Sequence, residues 1–229
     1  MLTYNMMIHL LCYSMVFIIA WLSKLNKAQN LADDKGILTS RPGYLTGAHI
    51  AGILWLGIVP WQLLNQPVLP ILIGKTIPGN VALVTFIILL VTAVLIIKRQ
   101  FTNIAYSNKY TNENTVHLSN AFFLYYFIVR IVFLFSYELW FRGFFLFDSI
   151  SQAGLQAAVI LNVFAYVLLH AFKSKKEILA CVPFGMVSCF LTILFNAAWP
   201  AIVLHISISL VYELNIYRNY SSITLNKTI

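Results

Sequence analysis

The chain has 229 residues, of which 60% are hydrophobic and 10% charged, and its net charge is +8. Soluble domains carry about 25% charged residues, so 17 Phe, 12 Tyr and 5 Trp exceed what one water-soluble core under a charged surface can hide. The basic excess does not mark a nucleic-acid partner, because no aromatic-basic interleaving of the kind that grips single strands occurs outside the apolar blocks.

The apolar residues fall in blocks close to the ~20 residues that cross hydrocarbon as a helix. The sequence predicts an all-α polytopic membrane helix bundle of about seven transmembrane helices, in a single domain over residues 1–229. Segment one covers residues 4–22. It lacks a basic leading region and a small-x-small cleavage site, so it is expected to be a retained helix rather than a signal peptide. A polar stretch follows, with Lys24, Lys27, Lys35 and Arg41 against Asp33 and Asp34. Segment two covers 44–64. Residues 65–80 hold Pro67, Pro70 and Pro78 around an apolar run at 68–73. That run is too short to span, and predicts a surface or partly re-entrant loop shielded from lipid. Segment three, 81–97, is rich in β-branched residues, yet its length and continuity favour a helix, since open sheet edges cannot sit in lipid. A polar connection at 98–117 leads into segment four, which runs unbroken from 118 to 150. Segments five, six and seven cover 152–172, 178–195 and 199–217. Cys12, Cys181 and Cys189 all lie in apolar segments and read as buried thiols that serve as small hydrophobes.

Twelve of the fifteen basic residues lie after segments one, three and five and in the C-terminal tail. The connections after segments two, four and six hold only Lys75. The positive-inside rule therefore predicts an outside N-terminus and a cytoplasmic C-terminus.

Ionisable groups inside spanning segments are costly and usually face a bundle interior. Here they are Arg130, Glu138 and Arg142 in segment four, His170 in segment five and His205 in segment seven. His9 and His49 read as structural or interfacial. Arg130, Leu134, Glu138 and Arg142 recur every four residues and share a face, so Glu138 can pair with Arg142. Asn162, Tyr166 and His170 form a second such stripe, and His205 with Ser209 a third. Three inward-turned polar faces would make one cavity. A tight turn near Gly154 would set Glu138 and His170 each about 24 Å from it, at similar depth. His205 lies closer to the opposite side and needs a tilted or broken helix to join them. Segment four, about 50 Å long as a helix against a ~30 Å core, must tilt, bend or project.

The stretch Glu138-Leu139-Trp140-Phe141-Arg142-Gly143 resembles the signature of the CPBP family. This family comprises the CAAX prenyl proteases and the bacteriocin-processing or immunity (Abi-like) proteins. Its pattern is Glu-Glu-x-x-x-Arg, then Phe-x-x-x-His, then His-x-x-x-Asn. Glu138 and Arg142 fall on the first motif, His170 on the second with Tyr166 in the Phe place, and His205 on the third. The likeness covers a core at roughly 119–217. Two positions depart from it: Tyr137 stands where the family has its first Glu, and Ser209 where it has Asn.

The resemblance implies an intramembrane endopeptidase of membrane-associated peptide or protein substrates in a bacterial cytoplasmic membrane. Glu138, through His170, would activate water, and Arg142 would orient Glu138. His205 with Ser209 would stabilise the oxyanion. Tyr137, Asn162 and Tyr166 would support the site. No cofactor is expected. If a divalent metal takes part, Glu138, His170 and His205 are its candidate ligands. The loss of the first acidic residue keeps a second reading open, a catalytically inactive binding or immunity protein of the same fold. A transporter would draw only on the buried charges and lacks an inverted repeat.

Overall fold

The computed structural model describes residues 3–32, 38–75, 78–102 and 118–225. Asp33, Asp34 and Lys35, and most of the polar connection at 98–117, lie outside them. Among the described residues eight helices follow in chain order: α1 (Tyr4–Leu25), α2 (Pro42–Leu63), α3 (Val68–Ile73), α4 (Asn80–Thr102), α5 (Asn120–Ala153), α6 (Leu155–Leu169), α7 (Lys175–Phe195) and α8 (Trp199–Leu225). Six of them, α1, α2, α4, α5, α7 and α8, are long and apolar enough to cross a membrane. The architecture is a polytopic membrane helix bundle, as the hydrophobic blocks predict.

Segment five is shorter than expected. α6 has 15 residues, about 22 Å at 1.5 Å per residue and less than a ~30 Å core. Its ends are set locally. Gly154, at φ +80°, breaks the chain between α5 and α6, a conformation glycine adopts without a Cβ penalty. His170 closes the other end as the C-cap.

α5 is the central helix. Residues 136–146 are all buried, which a helix achieves only when neighbours cover every face. α1, α2, α6 and α8 supply that cover, with Cys12, Leu56, Tyr166 and Ile202 among the packed residues. Close approach by α2 depends on two glycines. A Cβ at Gly52 would lie 2.3 Å from the Phe133 ring, and one at Gly57 would lie 2.7 Å from Ser136 Oγ. α4 stands at the periphery. It meets α7 and α8 through Ala82 and Phe86, and exposes Val84, Ile87, Ile88, Val91 and Leu95, as a lipid-facing helix does.

Both α2 and α5 contain a π-helical stretch, Leu54–Ile58 and Leu139–Phe145. In α2 the cause is Pro60, which lacks an N–H and whose ring crowds the carbonyl one turn back. The widened turn just before it absorbs that conflict. In α5 the Phe141 carbonyl accepts from Leu146 N, and also from Asn162 Nδ2 at 2.7 Å. A side chain of α6 thus ties down the wide turn.

The run at 68–73 is a short helix rather than an irregular loop, ended by Gly74 at φ +79°. It lies under the α7–α8 turn, where Ile71 O accepts from Ala198 N at 2.9 Å. A Cβ on Gly143 would meet Ile71 at 2.8 Å and Ala198 at 3.7 Å. The start of α8 is therefore level with Gly143, not with the end of α5. This settles the depth of His205. Glu138 lies five residues before that level and His205 seven after it, about 7.5 and 10 Å. No broken helix is needed. The extra length of α5, Gly143 to Ala153, runs on past that level and packs along α6.

Gly52→Val and Gly57→Val should each lower the stability of the purified protein in detergent by roughly 1–3 kcal/mol, the usual cost of overpacking. Gly47→Ala, where a Cβ meets nothing within 4 Å, serves as the control. Equal thermal midpoints for all three variants would contradict the close α2–α5 approach.

Candidate active site

Glu138 is completely buried and uses both carboxylate oxygens. Arg142 Nε donates to Oε2 at 3.1 Å, and His205 Nδ1 lies 2.6 Å from Oε1. Arg142, also completely buried, donates through Nη1 to Asn162 Oδ1 and to Cys189 Sγ at 3.1 Å. Its guanidinium lies over the Tyr166 ring, 4.9 Å from the centroid. One ion pair thus draws on α5, α6, α7 and α8. Cys189 is more than a small hydrophobe here, since its thiol sits between Arg142 and Asn162. Cys12 and Cys181 pack in the apolar core as expected.

In front of this knot lies a cavity of about 130 Å³. Its wall includes His49 from α2, Arg130 and Tyr137 from α5, and His205 from α8. His170 and Lys173, just past α6, Ser23 of α1 and Gln29, from the connection after α1, complete the polar lining. Glu138 does not line it. Tyr137 does, as expected of neighbours that point about 100° apart on a helix. The Tyr137 ring stands nearly perpendicular to His170 and His205, with centroids at 6.4 and 6.0 Å. Its hydroxyl is buried with no hydrogen-bond partner among the described residues.

Hydrogen-bond geometry fixes the imidazole tautomers. His170 Nδ1 is 2.9 Å from the Tyr166 carbonyl, which only accepts, so Nδ1 donates and Nε2 carries a lone pair. The same holds for His205 against the ionised Glu138. The cavity is therefore walled by two imidazoles with basic Nε2 atoms and by Tyr137.

The sequence-predicted residues divide accordingly. The structure brings Glu138, Arg142, Asn162, Tyr166 and His205 into one buried network, and His170, His205 and Tyr137 into one wall. His170 is level with Glu138, on a turn at Gly154, but its bonded partner is Tyr166 O. Glu138 is bonded to His205 instead. Ser209 is buried one turn beyond His205 and is not part of the cavity wall. His9 is remote, 2.9 Å from Asp148 at the opposite end of α5. His49 does line the cavity.

Sequence reasoning overlooked Glu213. Its Oε1 accepts from Arg130 Nε at 3.0 Å and from Tyr126 OH at 3.2 Å. A signal existed, because His205, Ser209 and Glu213 continue the four-residue spacing along α8. Arg130–Glu213 and Glu138–His205 share one antiparallel register between α5 and α8, two turns apart.

Residues 118–211 match the family model of Type II CAAX prenyl endopeptidase Rce1-like proteins. The match spans under half of the chain. It takes in all of α5, α6 and α7 and the His205 turn of α8, but neither His49 nor Glu213. No curated protein and no solved structure matches the chain.

A metal suggested by the protease resemblance does not fit these residues. Zinc sites with catalytic roles use three protein ligands and an open position. Here both Glu138 oxygens are engaged, and only two imidazole Nε2 atoms remain. No group of three or more His, Cys, Asp or Glu placed to hold a metal occurs among the described residues.

Removing one partner of a buried ion pair leaves an uncompensated charge, at roughly 3–5 kcal/mol. Arg142→Met should therefore destabilise the protein by that order in detergent unfolding. Adding Glu138→Gln should restore part of the loss. A double variant no more stable than Arg142→Met alone would contradict direct pairing.

Proposed function

We propose that this protein is an intramembrane endopeptidase acting on membrane-associated peptides, with His205 as its base and Glu138 as the positioning residue behind it. The observation that carries this reading is the 2.6 Å contact between His205 Nδ1 and Glu138 Oε1, with His205 in the cavity wall. A carboxylate on Nδ1 holds the imidazole in one tautomer and orientation and stabilises the imidazolium formed when Nε2 takes a proton. Water in the cavity would lose its proton to His205 Nε2 as it attacks a peptide carbonyl. The imidazolium would then return that proton to the departing amine. Tyr137 would donate its hydroxyl proton as a hydrogen bond to the developing oxyanion, in the place Ser209 is too remote to fill. His170, the second basic imidazole, would hold the attacking water. The Rce1-like match over 118–211 supports a protease-like reaction class. The basic connections favour a cavity that opens toward the cytoplasmic side.

A non-catalytic binding role is the second reading. It is favoured by the complete burial of Glu138 and by the position of Ser209 outside the cavity.

Reconstitution in lipid with a peptide library separates the two. Cleavage by the wild type should fall by about 10²–10⁴-fold in His205→Gln, the range of general acid–base catalysis. Glu138→Gln should lower kcat with KM little changed. Wild-type protein that binds peptide without cutting it would favour the second reading, and a His205→Gln variant of full activity would overturn the first.

A further inference from the structure

The cavity is small for a ligand of peptide size. Its volume is about 130 Å³. That is room for about four waters at roughly 30 Å³ each, whereas pockets that enclose a ligand run to about 300–1,000 Å³. Part of the wall has to move before such a ligand enters.

Most of the wall is held. α5 and α8 are joined by Glu138–His205 and Arg130–Glu213, and α6 is joined to α5 through Asn162 and Arg142. α2 lies against α5 at Gly52, and His49 Nε2 accepts from Arg130 Nη1 at 3.1 Å. α1 is fixed along its length, where His9 meets Asp148 at 2.9 Å and Tyr13 OH donates to Ala165 O at 3.0 Å.

The connection that follows α1 is attached differently. Ala28 and Gln29 line the cavity, and the segment is caught by the turn between α6 and α7. Lys173 donates to Gln29 O at 2.5 Å and to Asn30 Oδ1. Gln29 Nε2 donates to Phe172 O at 2.5 Å, and Asn30 Nδ2 donates to Glu177 Oε1 at 3.1 Å. That turn is firmly set, because His170 closes α6 and Ser174 with Glu177 forms a capping box on α7. The segment is also tied to itself. Thr39 N donates to Leu31 O at 2.9 Å and Ala32 bridges Leu38, so it can move as one piece. At its start Lys27 has φ +53°, a left-handed conformation that is unfavourable with a Cβ and lasts only while its neighbours enforce it. Ala28, Leu31 and Ala32 seat on Leu45, Phe123, Tyr126 and Ile216, which keeps the segment down at rest.

We propose that residues 26–32 form a strap over the cavity, hinged at Asn26 and Lys27 and caught by Lys173, that swings out to admit a ligand. The catch lies three residues past His170, so the strap closes against the turn that carries this imidazole. The passage of a peptide rests on the peptidase reading. The strap itself does not.

The test reads water access to the cavity in full-length protein in nanodiscs. Ser23→Cys, an isosteric change at a cavity-lining position, is treated with sulfonatoethyl methanethiosulfonate, an anion that reaches thiols through water and not through lipid. Mass spectrometry locates the modified residue. Labelling of a covered group tracks the population of the open form, so the thiol should react slowly while the strap is shut. Lys173→Met and Asn30→Ala each remove hydrogen bonds of the catch. Each should raise the rate about ten-fold, the scale of one hydrogen bond to a charged group. Loss of the Lys173 charge alone would slow an anionic reagent, so attraction cannot produce that rise. Ala48→Cys, on α2, repeats the measurement from another wall. A rate equal to that of a free thiol with the strap unaltered overturns the proposal, as does an unchanged rate in either catch variant. A matching rise in labelling of the buried native Cys12, Cys181 or Cys189 also overturns it, since it marks general loosening. Strap opening without peptide cleavage leaves this proposal standing while the peptidase reading fails. Cleavage by a protein whose introduced thiol reacts equally with and without the catch does the reverse.

Discussion

A carboxylate with no exposure to solvent, at the middle of the central helix, is the constraint around which the bundle is arranged. Isolated in a low-dielectric interior, Glu138 would cost several kcal/mol. It is retained because Arg142 sits one turn away on the same helix and His205 reaches it from α8. Arg142 in turn donates through Nη1 to Asn162 on α6 and Cys189 on α7, while its buried Nη2 has no partner among the described residues. Four helices are thereby fixed in mutual rotation by one charge pair and its ligands. Apolar packing alone, which accepts many rotations of similar energy, would specify this less sharply.

The same network separates structure from chemistry along the α5–α8 seam. Carboxylates lie behind the seam, and the nitrogens they hold face the cavity. Glu138 holds His205, and Glu213 holds Arg130. Glu138 accepts from a guanidinium and an imidazole and does not line the cavity, so it stands behind the group that faces water there. The same carboxylate is well suited to fixing an imidazole. This is the ground on which we propose a histidine base in place of the glutamate base that the family resemblance implies. The two departures from the family pattern fit one account as well. Tyr137 occupies the cavity wall where the resemblance implies a carboxylate, and in the proposed mechanism it supplies a donor in place of a base. Ser209 stands outside the wall, where a longer side chain is not needed.

The wide turn in α5 belongs to this design. A π-helical stretch shifts the register of the residues after it relative to those before it. Glu138 immediately precedes the stretch and Arg142 lies within it. Asn162 bonds both the Phe141 carbonyl in the wide turn and the Arg142 guanidinium. The short helix Val68–Ile73 then closes the bundle against Gly143 and the α7–α8 turn. That contact holds the start of α8 at the depth where His205 meets Glu138.

Much of this was written in the sequence as local spacing. Apolar block lengths determined the membrane helices, because hydrocarbon thickness leaves a chain few alternatives. The interval from Glu138 to Arg142 determined their pairing, because residues four apart on a helix are neighbours. Gly154 marked the turn that levels His170 with Glu138. What the sequence left undecided depended on vertical offsets between helices distant in the chain. By chain position alone His205 lies too close to the opposite side to join Glu138, and the contact among Gly143, Ile71 and Ala198 brings the two to one depth. The partner of Glu138, the pairing of Arg130 with Glu213, and the inclusion of His49 in the cavity were likewise decided by tertiary register. A one-dimensional pattern records which face a residue occupies. Packing alone sets which residue on another helix arrives opposite it.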